Sequence, residues 1–363
     1  MSVDWYFATL LLVFFASCFW SIDSVYSFQR ASSVALLYAS SFWTFWYYAD
    51  RHGEAALIRL LLTTISLLLL ANLSISWFIA DPFIAGRFRG FFENPNNIGI
   101  IASIAGPLAL IQWLNSRRFI DAAFGCFIAA NLALSGNRSA ALAILIVISL
   151  ISIRYFLKTP SRGFFAVAGL ALAVSLFAQT SFFEETILRE ATLDSASDRS
   201  EFWALAQLYT ERRPELGHGF GTDIIIHDYY GISLTDRGLR GAGVMSSYYG
   251  LAVQIGKPIT ILFLASVIYF VASNLVFKIR FFNIYALSSI ILGGLIVAIF
   301  EPVLFSAGNA FLYLYMIVFM LTARRLHYGK IGIRSVHTSK AARMREPTDP
   351  RPLCRLPLSE ASS

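Results

Sequence analysis

Unbroken runs of Leu, Ile, Phe, Val and Ala dominate the chain, separated by short polar stretches that carry most of its arginines and lysines. About 20 apolar residues in a helix cross the hydrocarbon slab of a bilayer. By that measure the pattern predicts ten spans, near 5–22, 32–49, 56–80, 97–114, 119–135, 138–157, 163–182, 257–277, 282–300 and 304–322. Backbone inside lipid must satisfy its own hydrogen bonds, which leaves a helical bundle or a closed barrel. A barrel would show short alternating segments, so the expected fold is an all-α polytopic membrane protein. Residues 244–256 read as a short interfacial helix feeding the eighth span or as part of that span. The first span has neither the basic leader nor the small-residue cleavage site of a secretory signal.

Composition agrees: 57% of the 363 residues are hydrophobic and 14% charged, against about a quarter charged in soluble domains. Short cytoplasmic loops collect Lys and Arg. The tail carries Arg324, Arg325, Lys330, Arg334, Lys340, Arg343, Arg345, Arg351 and Arg355, so it is expected in the cytoplasm. Counting spans back puts Lys278, Arg280, Arg154, Lys158, Arg162, Arg117, Arg118 and Arg51 on the same side, and the N-terminus with them. The net charge of +7 is then topology and calls for no nucleic acid. The expected organisation is N-terminal transmembrane helices (1–84), a transmembrane core (85–182), a large extracytoplasmic loop (183–256), C-terminal transmembrane helices (257–322) and a disordered basic tail (323–363). No duplicated halves of the kind many transporters carry are visible.

Arginines on the outer side run against that charge rule and point to candidate chemistry. Arg87 and Arg89 precede Phe91-Phe92-Glu93-Asn94-Pro95-Asn96-Asn97, and Arg138 opens the sixth span in Ser135-Gly136-Asn137-Arg138-Ser139-Ala140. A guanidinium is planar, permanently charged and suited to paired hydrogen bonds with a diphosphate; snorkelling at the interface is its ordinary alternative. Asn94 and Asn96 serve equally as a helix-start turn or as part of an anion or hydroxyl site at the positive end of the helix dipole. In the long loop, residues 198–222 predict an amphipathic helix with Phe202, Leu205, Ala206, Leu208 and Tyr209 on its apolar face and Arg199 one turn before Trp203. Trp203 suits a sugar ring or packing. Pro214 and Gly217-His218-Gly219-Phe220-Gly221 end that helix; without a preceding strand or a Lys-Ser/Thr the glycines do not form a nucleotide loop. Histidines such as His218 and His227 are suited to act as bases near neutral pH, and His218, Glu93 or Asp198 is the candidate base.

Absences narrow the field. Cys18, Cys126 and Cys354 are too scattered for a disulfide framework or thiolate site. The sequence shows no metal-chelating aspartate pair, no paired His/Glu spacing and no Gly-x-Ser-x-Gly elbow. The spans hold Asn72, Asn131 and Asn309 but no acidic ladder for ion coupling.

Taken in order, the Phe92–Asn96 turn, Ser135–Ala140, Arg199 to Trp203 and the Gly217–Gly221 turn resemble the bacterial O-antigen ligase and polymerase superfamily, over about 85–325. The resemblance implies a GT-C-like helical bundle in the bacterial inner membrane. It also implies a metal-independent glycosyltransferase, without cofactor, acting on an oligosaccharide linked to undecaprenyl diphosphate. A chain-length regulator protein is an expected partner. The diphosphate-holding arginines map onto Arg138 and Arg199, with Arg87, Arg89, Asn94, Asn96 and Trp203 lining the site. Family ligases usually show His-Asn before the helix after the loop, whereas this chain reads Val244-Met245-Ser246-Ser247-Tyr248-Tyr249-Gly250. That departure favours a polymerase over a ligase; a transporter of lipid-linked sugars is the reading from another class.

Overall fold

The computed structural model describes residues 3–79, 81–84, 86–158, 196–232, 244–279, 281–306 and 309–343, with side chains at 7–79, 81–84, 86–155, 200–232, 244–279, 281–306 and 309–328. The expected seventh span, 163–182, lies outside these residues, as do Arg162, Arg237, Arg240 and Arg280.

Helices α1 (Val3–Ser17) and α2 (Ser24–Ala39) are joined by a tight turn, and Asp23 caps α2 by accepting from the Tyr26 amide. A π-helical stretch (Ser40–Phe45) carries α2 into α3 (Trp46–His52), and Gly53 separates α3 from α4 (Glu54–Ile75). The expected second span therefore begins earlier, because an aspartate at 23 satisfies the free amides of the first turn. A two-stranded hairpin follows, β1 (Phe83–Ile84) with β2 (Arg87–Phe88), Phe83 opposite Phe88. It is a small addition to the expected all-helical fold. Helices α5 (Asn96–Ser116), α6 (Phe119–Ser135) and α7 (Arg138–Lys158) follow in sequence, with α5 packed against both α6 and α7. The loop supplies α8 (Ala196–Arg212), the single turn α9 (Ile226–Tyr229) and α10 (Ser247–Ile255). Then come α11 (Lys257–Phe277), α12 (Phe282–Phe300) and α13 (Ala310–Arg343). Gly256 divides α10 from α11, so residues 247–255 form a helix of their own.

Five described helical segments are long and apolar enough to cross a membrane: Glu54–Phe78, Asn96–Ser116, Arg138–Tyr155, Lys257–Phe277 and Phe282–Phe300. Phe7–Ser17 and Phe119–Ser135 are apolar but shorter. Their burial differs in an instructive way. Helix α12 sits among α5, α7, α10 and α11 and buries residues all round. Helix α11 buries only Thr260, Val267, Val271 and Asn274, while Leu262, Tyr269 and Phe277 project 69–77% exposed. A helix apolar on its outward face has hydrocarbon for a solvent. The chain is thus a mostly helical, multi-pass membrane protein.

Contacts divide the chain into Met1–Arg324 and Arg325–Ser363. The second unit is helical to Arg343, where the sequence predicted disorder from 323. Ala, Leu, Arg and Lys favour helix there, and the first proline comes only at 347.

Candidate functional site

The two turns singled out in the sequence meet at one end of the bundle. Asn94 Oδ1 accepts from the Asn96 amide at 2.8 Å and so starts α5. Across from it, Gly136 ends α6 in the left-handed region, and Asn137 Oδ1 accepts from the Ala140 amide at 3.0 Å and from Ser139 Oγ at 2.9 Å, capping α7. Asn137 Nδ2 donates to the Asn96 carbonyl at 3.2 Å. Gly99 permits that approach: a Cβ there would lie 2.3 Å from the Asn137 Cβ. Arg87, projecting from β2, ties both turns, donating from Nε to the Ser135 carbonyl at 2.8 Å and from Nη2 to Asn96 Oδ1. Arg138 is the first residue of α7 and is exposed, where free amides and the positive dipole end favour an anion.

The network continues inward, since buried polar groups must find partners. Asn96 Nδ2 donates to Glu301 Oε1 at 2.9 Å. The Glu301 carbonyl accepts from Ser247 Oγ at 2.7 Å, and that same oxygen accepts from the amides of Val303 and Leu304.

Ser247 also lines a cleft with Arg30, Gly221, Asp223, Ser246 and Gln254. Its cavity volume of ≈ 30 Å³ matches one or two waters, enough for a hydroxyl and too little for a sugar ring. The cleft exists because the glycine-rich turn is a junction. The Gly221 amide donates to Gln254 Oε1 at 2.8 Å, and at φ +81° a Cβ on Gly221 would lie 2.5 Å from Arg30 Cγ. Phe220 stacks on Phe14, its amide donates to Ser17 Oγ, and the Ile22 amide donates to the His218 carbonyl. These contacts fasten α1 and α2 to α10. Arg30 leans on Tyr26, donating to its hydroxyl at 2.5 Å with the guanidinium 4.9 Å from the ring centroid. Burial pushes the Asp223 carboxyl up to about 7, opposed by its own backbone amide and by the Arg30 charge.

The remaining predicted residues are placed as follows. Arg89 donates from Nε to the Asp81 carbonyl at 3.0 Å, and Glu93 and Asn94 are exposed. Arg199 lies in α8 one turn before Trp203; its side chain and that of Asp198 fall outside the described ones. Trp203 donates from Nε1 to the Met245 carbonyl at 3.0 Å, next to Ser246 of the cleft, and packs beside Tyr249. Phe202, Ala206 and Tyr209 are buried as expected, but Leu208 is 41% exposed. His218 is fully buried, with Nδ1 against the Val253 carbonyl at 3.1 Å and Nε2 against the Tyr230 hydroxyl at 2.8 Å. Burial and the nearby Arg213 and Arg212 charges hold its pKa below the ordinary value, against the raising effect of the Val253 contact. His227, also lowered by burial, meets the Tyr209 hydroxyl through Nδ1 at 2.9 Å. Both rings pack against tyrosines, and neither lines the cleft.

Sequence reasoning passed over Arg30, Asp223 and Glu301. The same span count that placed Arg87 on the outer side puts the turn before the second span and residue 301 there too, so a signal existed for Arg30 and Glu301. Asp223 was one of eleven acids between Glu184 and Asp236, with nothing local to single it out.

A multi-pass helical membrane protein with an arginine- and amide-rich network beside a polar cleft is the class that fold and site define. Within it, the sequence pattern of the O-antigen ligase family matches residues 122–263, from the first turn of α6 into α11. That match supports the O-antigen ligase and polymerase superfamily, a family of glycosyltransferase-like ligases and polymerases. The matched segment contains Arg138, Arg199, Trp203, His218 and Asp223; Arg30, Arg87, Asn96 and Glu301 reach the site from outside it. No curated protein matches the chain.

Proposed function

We propose that the protein is a metal-independent inner-membrane glycosyltransferase that polymerises oligosaccharide repeats carried on undecaprenyl diphosphate into a surface or exopolysaccharide. The observation supporting it most directly is the Arg87-centred junction of the Asn94–Asn96 and Ser135–Ala140 turns at the start of α7, where Arg138 stands exposed. The chain crosses the membrane ten times with both termini in the cytoplasm, so this junction faces outward. Arg138 and Arg199 hold the diphosphate; Arg87, Arg89, Asn94, Asn96 and Trp203 shape the surroundings. As the sugar–oxygen bond breaks, negative charge grows on the leaving diphosphate, and fixed guanidinium groups stabilise that state more than the bound substrate. Losing one such contact costs about 3 kcal/mol, roughly a hundredfold in rate.

Ligases of the family usually carry His-Asn before the helix that follows the loop, and the stretch Val244–Gly250 has none, which favours polymerisation over transfer to lipid A-core. Alanine at Arg138 and at Arg199 is expected to abolish long-chain polysaccharide with the protein still at its normal level in the membrane. Normal chain lengths in both variants would overturn the reading. A deletion strain that still caps its acceptor with a single repeat marks a polymerase, one that attaches nothing marks a ligase, and lipid-linked glycan crossing vesicles without a new glycosidic bond marks a transporter.

A further inference from the structure

We propose that Asp223 is the catalytic base of this transfer, its carboxylate removing the proton of the acceptor hydroxyl at the floor of the Arg30–Gln254 cleft. The inference rests on the glycosyl-transfer reading and goes beyond it by naming a residue and a place for the acceptor.

Three observations carry it. First, the cleft is built from distant parts of the chain: Arg30 of α2, the Gly221–Asp223 turn, and Ser246, Ser247 and Gln254 around α10. Second, it is continuous with the junction below Arg138, because Ser247 lines the cleft and binds Glu301, whose carboxylate accepts from Asn96, the partner of Arg87 and Asn137. Third, Asp223 sits deep yet is reachable through the opening, beside Gly250, where a Cβ would be 3.7 Å from Asp223 Oδ2. Among the described residues, Arg30 is a charged group facing it, itself in contact with Tyr26. Helix α10 and its N-cap present neutral Ser247, Gln254 and Ser246, and the neighbouring wall presents Pro302, Leu304, Phe305 and Ser306 just after Glu301. A carboxyl titrating near 7 is matched to proton abstraction at neutral pH.

The step balances. The acceptor oxygen forms a bond to the anomeric carbon as the bond from that carbon to the diphosphate oxygen breaks. The lipid diphosphate leaves with the bonding electrons, and the hydroxyl proton goes to Asp223 and from there to water. The cleft must widen when the acceptor enters, since at rest it admits only its hydroxyl.

The test uses full-length protein in lipid nanodiscs and, as probe, polyprenyl-diphosphate-linked glycan extracted from the source strain lacking this gene. Wild-type protein is expected to lengthen the glycan at a rate that rises with pH through about 7. Asp223→Asn is expected to lower the rate at least a hundredfold while binding the same donor within twofold of wild type. Asp223→Glu keeps part of the activity. Arg30→Gln removes the charge that favours the carboxylate, so the acidic limb moves to higher pH, which a purely structural role for either residue does not produce. An Asp223→Asn rate within threefold of wild type, or an acidic limb unmoved in both Asp223→Glu and Arg30→Gln, overturns the inference and leaves the glycosyl-transfer reading standing. A wild-type protein that forms no glycosidic bond from this donor overturns both. If Asp223→Asn does not fold, the limb of wild type against Arg30→Gln decides.

Discussion

The two ends of the helical bundle use arginine in opposite ways. At the end where α3 meets α4, Arg324 of α13 donates from Nη2 to Asp50 Oδ1 at 2.8 Å and from Nη1 to Glu54 Oε1, so one guanidinium clasps two carboxylates. Arg59 lies 3.5 Å from Asp121, and Arg117 donates to the Tyr155 hydroxyl at 2.6 Å and lies 5.5 Å from the Trp113 ring centroid. At the cleft end, Arg87 ties backbone and amide oxygens of two turns, and Arg30 lines the same cleft as Asp223. Ion pairs between helices stitch the bundle, whereas a guanidinium that ties turns or lines a cleft stands beside a polar cavity. The same residue type therefore closes ion pairs at one end and, on the proposed reading, serves the transfer at the other.

The comparison is sharpened most by Arg87→Ala. Removing the tie between β2, α5 and the α6–α7 turn is expected to cut glycan elongation about a hundredfold, measured with the nanodisc assay, at normal protein level. Arg324→Ala is expected to leave elongation within about twofold and to lower the thermal midpoint in detergent, by about 2 kcal/mol of stability. Breaking a buried pair costs more than that, but Asp50 is 38% exposed and solvent screens part of the interaction. If Arg324→Ala stops elongation and Arg87→Ala does not, the contrast between the ends is wrong.

A smaller effect comes from pH. Burial keeps the His218 and His227 pKa values below the ordinary 6.5, so the unfolded chain takes up protons first. Stability is then flat above about pH 6.5 and falls as pH drops through it, by up to about 1.4 kcal/mol per pH unit for each histidine. Thermal midpoints between pH 5 and 8 check this, and His218→Gln should flatten the acid side. Asp223 works in the other direction: its raised pKa means stability present at low pH is given up as pH climbs through about 7. Natural proteins trade stability for function at working sites, and the proposed role of Asp223 is one such trade.

Much of the bundle was legible because hydrophobic length is a local property. The spans at 56–80, 97–114, 138–157, 257–277 and 282–300 correspond to five of the described helices, within a few residues. The turns at Asn94–Asn96 and Ser135–Ala140 were legible as well, since asparagine and proline at helix starts follow from backbone chemistry. Their meeting was not, because it depends on Gly99 letting two helices touch. The boundary at 304 shifted to Ala310 because Leu304 and Phe305 form a turn, with Phe305 at φ 64°. The cleft was illegible for the plainest reason: Arg30 and Asp223 stand far apart in sequence, and a charge carries no mark of a partner it meets only after folding.

The glycine-rich junction ties the first thirty residues to the cleft. Its hydrogen bonds, from the Phe220 amide to Ser17 Oγ and from the Ile22 amide to the His218 carbonyl, and the seat of Gly221 on Arg30 mean that the stretch recognisable by family pattern does not hold the whole cleft. An excised 122–263 fragment would leave one wall of the cleft behind, and a chimera exchanging only that stretch would pair a borrowed carboxylate with an arginine selected elsewhere.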